Sequence, residues 1–466
     1  PRPSPRAVAP RCSAPVAPAA SAANAWAPDS WKAKPDHSSP TFVDPEGLAD
    51  AEARLKRLPA LVYSGETLRM IDSIAKAGRG EAFILQAGDS ADGFGEDEVT
   101  AVDRTFRLLV AQVVILAYIS GLPIVKIGRL TGLFPAGAET KVEAKDMLET
   151  YAMSASRLNL LRATAKSSKS MGHWLRIVEE IAVESADQEA VVKARTVITR
   201  VTDALDFTAA CGLDVSNDET FRTPEFFTAH EARNLHYDAS LVRTFDVDPS
   251  AGDFCTSTNL LWIGEHHLAR ADSDAHIEFL RGIANPIAVK VGASTDVEDL
   301  LAAIRRLNPS NTPGKIALVV RMGAQSLWRR FPAMLRALSS ASLAVTWLCD
   351  PMHDNFASIT SAPAPDAPRR VVGTRPYDLI LGEIAAFFEI CDAEGVFPGG
   401  LCLEMTADPV AECLGGGVTR EMLFDEGMYT TSRDPRLNGA QALDVAFRVG
   451  EMLRQRTKSE RAAEAL

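Results

Sequence analysis

Residues 287–323, IAVKVGASTDVEDLLAAIRRLNPSNTPGKIALVVRMG, hold a complete structural unit. Ile287–Gly292 and Ile316–Gly323 are short apolar runs rich in β-branched residues, too short for helices. Between them Thr295 and Glu298 make a capping-box pattern, Leu300, Leu301, Ile304 and Leu307 supply one apolar face, and Asn308-Pro309 stops the helix. Strand, capped helix, turn and strand form a βαβ unit. The strands are continuously apolar rather than alternating, which implies a parallel sheet buried on both faces.

The same kind of run recurs along the chain, each one ending in or containing a charged residue. Before the unit come Phe83–Asp89 (FILQAGD), Ile124–Arg129 (IVKIGR), Glu225–Glu231 (EFFTAHE) and Asn259–Glu265 (NLLWIGE). After it come Ala344–Asp350 (AVTWLCD) and Gly400–Thr406 (GLCLEMT). With the two runs of the unit there are eight, the number that closes a (β/α)8 (TIM) barrel. The expected architecture is therefore α/β: residues 1–30 a tail or transit-like segment, 31–80 an N-terminal helical extension, 81–456 the barrel with a helical insertion between its second and third strands, and 457–466 a charged C-terminal tail.

A barrel builds its site at the carboxyl ends of its strands, where these charges fall. A charge after an apolar run can simply mark the return to solvent. Lys290, between Val289 and Val291, and Arg321, after Leu318-Val319-Val320, fit that reading poorly, because a buried cation needs a carboxylate or a bound anion. Arg129, Lys290 and Arg321 at one mouth would hold a phosphate or carboxylate through charge-assisted hydrogen bonds. A second constellation, His353, Glu404 and Asp434, offers one imidazole and two carboxylates, a donor set suited to Mn2+, Co2+, Fe2+ or Zn2+.

Composition narrows the classes. A net charge of −12 argues against nucleic-acid binding and against docking on anionic membranes. The apolar stretch Leu108–Val125 contains Gln112, Ser120, Gly121 and Pro123, so it reads as a buried helix turning into a strand. Seven scattered cysteines without a CxxC pair suggest free thiols in a reducing compartment. Before Asp29 the chain is Ala/Pro/Ser-rich with Arg2, Arg6 and Arg11 and no acid, which fits either an organelle transit peptide or a disordered tail. The location expected is cytoplasmic, or plastid if that segment is a transit peptide.

Taken together the segments resemble the class II 3-deoxy-D-arabino-heptulosonate-7-phosphate (DAHP) synthases, from about Trp31 to Arg454. The most specific matches are Leu122–Arg129 (LPIVKIGR), Trp262–Glu265 (WIGE), Ile283–Pro286 (IANP), Arg321–Gly323 (RMG), Cys349–His353 (CDPMH), Pro398–Gly400 (PGG), Glu412–Gly416 (ECLGG) and Asp434–Asn438 (DPRLN). The resemblance implies that Arg129, Glu265, Lys290 and Arg321 surround phosphoenolpyruvate, that His353, Glu404 and Asp434 ligate a divalent metal such as Mn2+ or Co2+, and that Lys290 and His353 are catalytic. The family reaction joins C3 of phosphoenolpyruvate to the aldehyde of erythrose 4-phosphate in the shikimate pathway, with water attacking C2 and phosphate leaving. Homo-oligomers are expected by the same likeness.

The chain departs from the family pattern in the acceptor half of the site. The family cysteine that is the fourth metal ligand is Ser90 here, a hydroxyl in place of a thiolate, which should weaken metal binding or favour harder ions; Asp89 and Asp92 are nearby carboxylates. Where the family has Lys-Pro-Arg-Ser to hold the phosphate of erythrose 4-phosphate, this chain has Pro135-Ala136-Gly137-Ala138, and the loop that follows in the family is missing. Gly373 replaces a family lysine before Thr374-Arg375-Pro376. Each lost charge-assisted contact would cost about 1.5–3 kcal/mol. The family arginine after Gly-Glu is His266, followed by His267: either a partly charged, pH-sensitive phosphate contact or a solvent-facing pair. Two readings follow. One is a synthase that condenses phosphoenolpyruvate with a different aldehyde; the other is a catalytically degenerate paralogue acting as a regulatory or binding subunit, with a small-molecule sensor as a lesser variant.

Overall fold

A computed structural model describes residues 26–88, 98–134, 141–167, 171–185, 188–212, 225–245, 252–361, 369–431 and 434–464. All eight apolar runs form strands: β1 (Phe83–Gly88), β2 (Ile124–Gly128), β3 (Phe227–Glu231), β4 (Leu260–Ile263), β5 (Ile287–Val291), β6 (Ile316–Val320), β7 (Val345–Cys349) and β8 (Gly400–Glu404). They pair in parallel in sequence order, and β8 closes on β1 with Gly400 opposite Ile84 and Glu404 opposite Gly88.

Burial on both faces explains why the runs are continuously apolar. Alternate residues divide between two cores. Ile84, Val125, Ile127, Ala288, Val319, Leu348 and Cys402 fill the barrel interior. Leu85, Val289, Leu318, Cys349 and Leu403 face outward, into the core shared with the surrounding helices. The helix Ser64–Gly78 adds Met70, Ile74 and Ala77 to the interior cluster, and the Ile74 carbonyl accepts from Thr346 Oγ1 near the start of β7. The N-terminal extension thus plugs the amino-terminal end of the barrel.

Three helices, Ala144–Ser167, Met171–Glu184 and Gln188–Ala210, form the expected insertion between β2 and β3. They pack around Glu98–Ser120, the helix that holds most of the longest apolar stretch. No helix among the described residues is long and apolar enough to cross a membrane. The six described cysteines are free thiols.

Two local expectations change. The cap of the helix Val297–Leu307 is Asp296, whose carboxylate accepts from the backbone N–H of Glu298 and Asp299. Thr295 lies one residue before the cap, where its Oγ1 accepts from the Gly292 N–H at 2.9 Å and donates to the Glu265 carboxylate at 2.7 Å. The last helix, Gly439–Glu464, continues through most of the segment set apart as a charged tail, since residues 457–464 contain neither Gly nor Pro to stop it.

The Pro398-Gly399-Gly400 motif has a steric reason. A Cβ on Gly400 would lie 2.5 Å from the Ile84 carbonyl oxygen and 2.6 Å from Ile84 Cβ, at the seam where β8 meets β1. We expect Gly400→Ala to destabilise the fold by about 1–3 kcal/mol, read as a lowered urea unfolding midpoint. An unchanged midpoint would show that the seam has slack.

Candidate active site at the carboxyl ends of the strands

The two-residue alternation that fills the interior continues past the strand ends. One step beyond Ile127, Ala288, Val319, Leu348 and Cys402 stand Arg129, Lys290, Arg321, Asp350 and Glu404. Arg129, Lys290, Asp350 and Glu404 line one small cavity of about 20 Å³ with Gln86, Trp262 and His353. The room is about that of a single water, because the side chains pair across it. His230 is on the opposite parity. It is buried outside the barrel, with Nε2 3.0 Å from Asp238 and Nδ1 3.2 Å from Thr131 Oγ1.

Glu404 is the hub. Its Oε1 is 2.6 Å from Arg129 and 3.5 Å from His353 Nε2, and its Oε2 is 3.5 Å from Arg375. Burial alone would raise this carboxyl; the charges of Arg129, His353 and Arg375 overcome it and hold the group at about 2. The Arg129 guanidinium also lies 5.1 Å over the Trp262 ring. Asp350 sits 2.7 Å from His353 Nδ1, off the axis of an ideal N–H bond, and 3.7 Å from Lys290. Burial opposes its ionisation, but His353 and Lys290 hold it well below the usual carboxylate range. Lys290 Nζ lies 3.3 Å from His353 Nε2. Arg321 pairs with Asp354 at 2.7 Å, while its buried Nε has no hydrogen-bond partner.

His353, Glu404 and Asp434 each place a ligand atom within 4.8 Å of the others. A carboxylate at His353 Nδ1 leaves Nε2 as the lone-pair side, as in metal-ligating histidines. Besides the His353 imidazole, five carboxylates (Glu265, Asp350, Asp354, Glu404, Asp434) and four cationic side chains (Arg129, Lys290, Arg321, Arg375) meet here. Ser90, Asp89 and Asp92, and Pro135 to Ala138, lie outside the described residues.

Glu265 and His266 have other partners. Glu265 Oε2 accepts from the Gly292 N–H at 3.0 Å and from Thr295, tying the loop after β4 to the end of β5. His266 is exposed, with Nε2 2.9 Å from Ser38 Oγ and its ring on His267. No hydrogen bond or ion pair among the described residues joins it to Arg129, Lys290 or Arg321.

Four supporting residues escaped sequence reading. Arg375 is 1% exposed and bridges Glu404 to Asp434, 2.9 Å away, and to the Pro435 carbonyl. Asp350 ends a strand run and is the partner of His353. Glu412, fully buried, binds Arg436 through both carboxylate oxygens and so fixes the segment carrying Asp434. Glu383 accepts from the N–H of Met322 and Gly323 and from Asn355 Nδ2, joining the loops after β6 and β7. Its signal was there to read: one acid inside the apolar run of residues 379–388.

A much larger cavity, about 1020 Å³, lies elsewhere, beneath the helical insertion near the amino-terminal ends of β2 to β4, with Lys126, Glu225 and Trp174 in its walls. Size does not make it the reaction site. The convergent charged groups are at the other end.

Known proteins resemble this chain over most of its length. The profile described as the Class-II DAHP synthetase family matches residues 26–146 and 135–450. A Streptomyces coelicolor protein named phospho-2-dehydro-3-deoxyheptonate aldolase is 32% identical over 457 residues, 91% of this chain and 97% of that protein. One of the same name from Neurospora crassa is 33% identical over 479 residues, covering 93% and 95%. A Catharanthus roseus protein, "Probable phospho-2-dehydro-3-deoxyheptonate aldolase, chloroplastic", is 34% identical over 446 residues, covering 92% and 83%. The chain belongs to the class-II DAHP synthetase family.

The motifs shared with that class-II family carry geometry here. Cys349–His353 sets Asp350 against His353, while Glu412–Gly416 and Asp434–Asn438 meet through the Glu412–Arg436 pair. Glu383 offers a test of this scaffold. Its burial raises the carboxyl to about 7 despite the N–H donors. A carboxyl raised on folding contributes stability that is fully present below about pH 4.5 and is lost as pH rises through about 7, on the order of 3 kcal/mol at about 1.4 kcal/mol per unit. Glu383→Gln should remove that share of the pH dependence of the urea midpoint between pH 5 and 7.5. The same slope in both proteins would place the titration elsewhere.

Proposed function

We propose that this chain condenses phosphoenolpyruvate with an aldehyde other than erythrose 4-phosphate, releasing phosphate, with a divalent metal at His353, Glu404 and Asp434. The observation that carries the reading is the convergence of Arg129 and Lys290 on the cavity shared with His353 and Glu404, with Arg321 one step beyond β6. The relatives' names supply the reaction class, and the local chemistry is consistent with it.

Arg129, Lys290 and Arg321 would take the carboxylate and phosphate of phosphoenolpyruvate through charge-assisted bonds, trading protein carboxylates for substrate ones. As C3 bonds to the aldehyde carbon, negative charge grows on the aldehyde oxygen, and Lys290 Nζ, beside His353, is placed to deliver a proton there. Asp350 holds the His353 ring and balances the charge of Lys290. When bound, a divalent ion supplies Lewis-acid polarisation of that aldehyde oxygen.

A different acceptor is supported by Gly373. A Cβ there would fall 2.6 Å from the Phe356 ring, and the Gly373 carbonyl accepts from Tyr429 at 2.9 Å. Two aromatic side chains therefore crowd the position where the family carries a lysine, which favours an acceptor lacking the terminal phosphate.

Incubation of the metal-loaded chain with phosphoenolpyruvate and a panel of aldehydes, read by phosphate release, tests the proposal. The expected result is release with an unphosphorylated aldehyde, loss of at least 100-fold in rate with Lys290→Met, and poor use of erythrose 4-phosphate. Efficient use of erythrose 4-phosphate would overturn the altered acceptor. No phosphate release with any aldehyde, together with no metal uptake, would overturn the enzyme in favour of a binding or regulatory subunit.

A further inference from the structure

A second group of potential ligands lies outside the barrel mouth, where the loop after β4 meets the N-terminal segment. His267, Asp274 and His276 are all buried and each places a ligand atom within 4.8 Å of the others. Asp274 is fixed by two demands: its Oδ1 accepts from the backbone N–H of His276 and Ile277, and its Oδ2 is 2.9 Å from His267 Nδ1.

His276 is the anomaly. It is 1% exposed, yet neither ring nitrogen has a hydrogen-bond partner. An imidazole carries at least one N–H and one lone pair or a second N–H, so leaving both unmatched in the interior is unfavourable unless something else meets them. The nearest carboxylates, Asp36 and Asp274, are 3.9 and 4.0 Å from Nδ1. That is too far for a hydrogen bond. It exceeds by less than about 1 Å the roughly 3.3 Å between two ligands each about 2 Å from a tetrahedral ion, so a small closure would bring them to ligating distance.

Asp36 arrives from a different part of the chain. Its segment is tied to the helix Ala275–Leu280 by the Ala275 N–H bond to the Pro35 carbonyl and by Ser30 Oγ to Glu278. Asp36 itself is held by the N–H groups of Ser38 and Ser39.

We propose that His267, Asp274 and His276, joined by Asp36, form a second divalent-metal site of the Zn2+ type, which fastens the N-terminal segment onto the loop after β4. Two imidazoles and two carboxylates are a four-ligand set of borderline softness, suited to tetrahedral Zn2+ and to Co2+ as its spectroscopic substitute. The ion would be structural, since His267, Asp274 and His276 are buried and Asp36 approaches from the N-terminal segment.

The test uses the full chain with His353→Ala, which removes the barrel-mouth group, stripped by chelator and titrated with Co2+. Binding is read by elemental analysis and visible absorption. The expected result is one Co2+ per chain with the intense bands of a tetrahedral ion. His267→Gln should abolish it. Asp36 is partly exposed, so Asp36→Asn serves where loss of a buried histidine unfolds the chain; it should weaken Co2+ binding at least tenfold with the circular dichroism unchanged. Failure of the His353→Ala chain to bind Co2+, or wild-type affinity in both further variants, would overturn the site. Because the barrel-mouth group is absent throughout, neither outcome bears on the proposed reaction.

Discussion

Glu404 ends the strand that closes the barrel, is 1% exposed, and is shared by Arg129, Arg375 and His353. A carboxylate in that position cannot be uncharged cheaply, because it would leave Arg129 and the buried Arg375 with one counter-charge fewer. Buried ion pairs of this kind contribute little net stability, because desolvation offsets most of the attraction. What they do is fix geometry. Removing one partner strands the rest, so strand ends from β2 and β8 and the loops carrying His353, Arg375 and Asp434 are held as one unit.

Around that hub the neighbouring loops are cross-tied by carboxylates as well as by apolar packing. Glu265 joins the loops after β4 and β5, Glu383 those after β6 and β7, and Glu412 the two segments that frame Asp434. Polar ties of this sort hold side chains to a single rotamer while leaving the mouth lined by charge.

Much of this was legible in the sequence because β-strands obey a strict period. Continuous apolar runs marked buried parallel strands, and the same period carries Arg129, Lys290, Arg321 and Glu404 inward. Features that depend on which loops meet were not legible. Thr295 fits a capping pattern, but only the fold brings Glu265 within its reach. Arg375 looks like a surface arginine until its loop is folded beneath Glu404 and Asp434. Asp350 was visible as the end of a run, though its pairing with His353 depends on the turn through Pro351 and Met352. His266 shows the limit of likeness: its position after Gly-Glu suggested phosphate contact, and its neighbours are Ser38 and His267.

The central claim is that anion recognition belongs to the charged mouth at the carboxyl ends of the strands and not to the much larger cavity at the other end. Calorimetric titration of phosphoenolpyruvate into the unaltered chain, Lys290→Met and Lys126→Met tests it most directly. The account predicts one binding site, weakened at least tenfold by Lys290→Met, as expected for a lost charge-assisted bond, and unaffected by Lys126→Met. Undiminished binding in Lys290→Met, or its loss in Lys126→Met, would contradict the account.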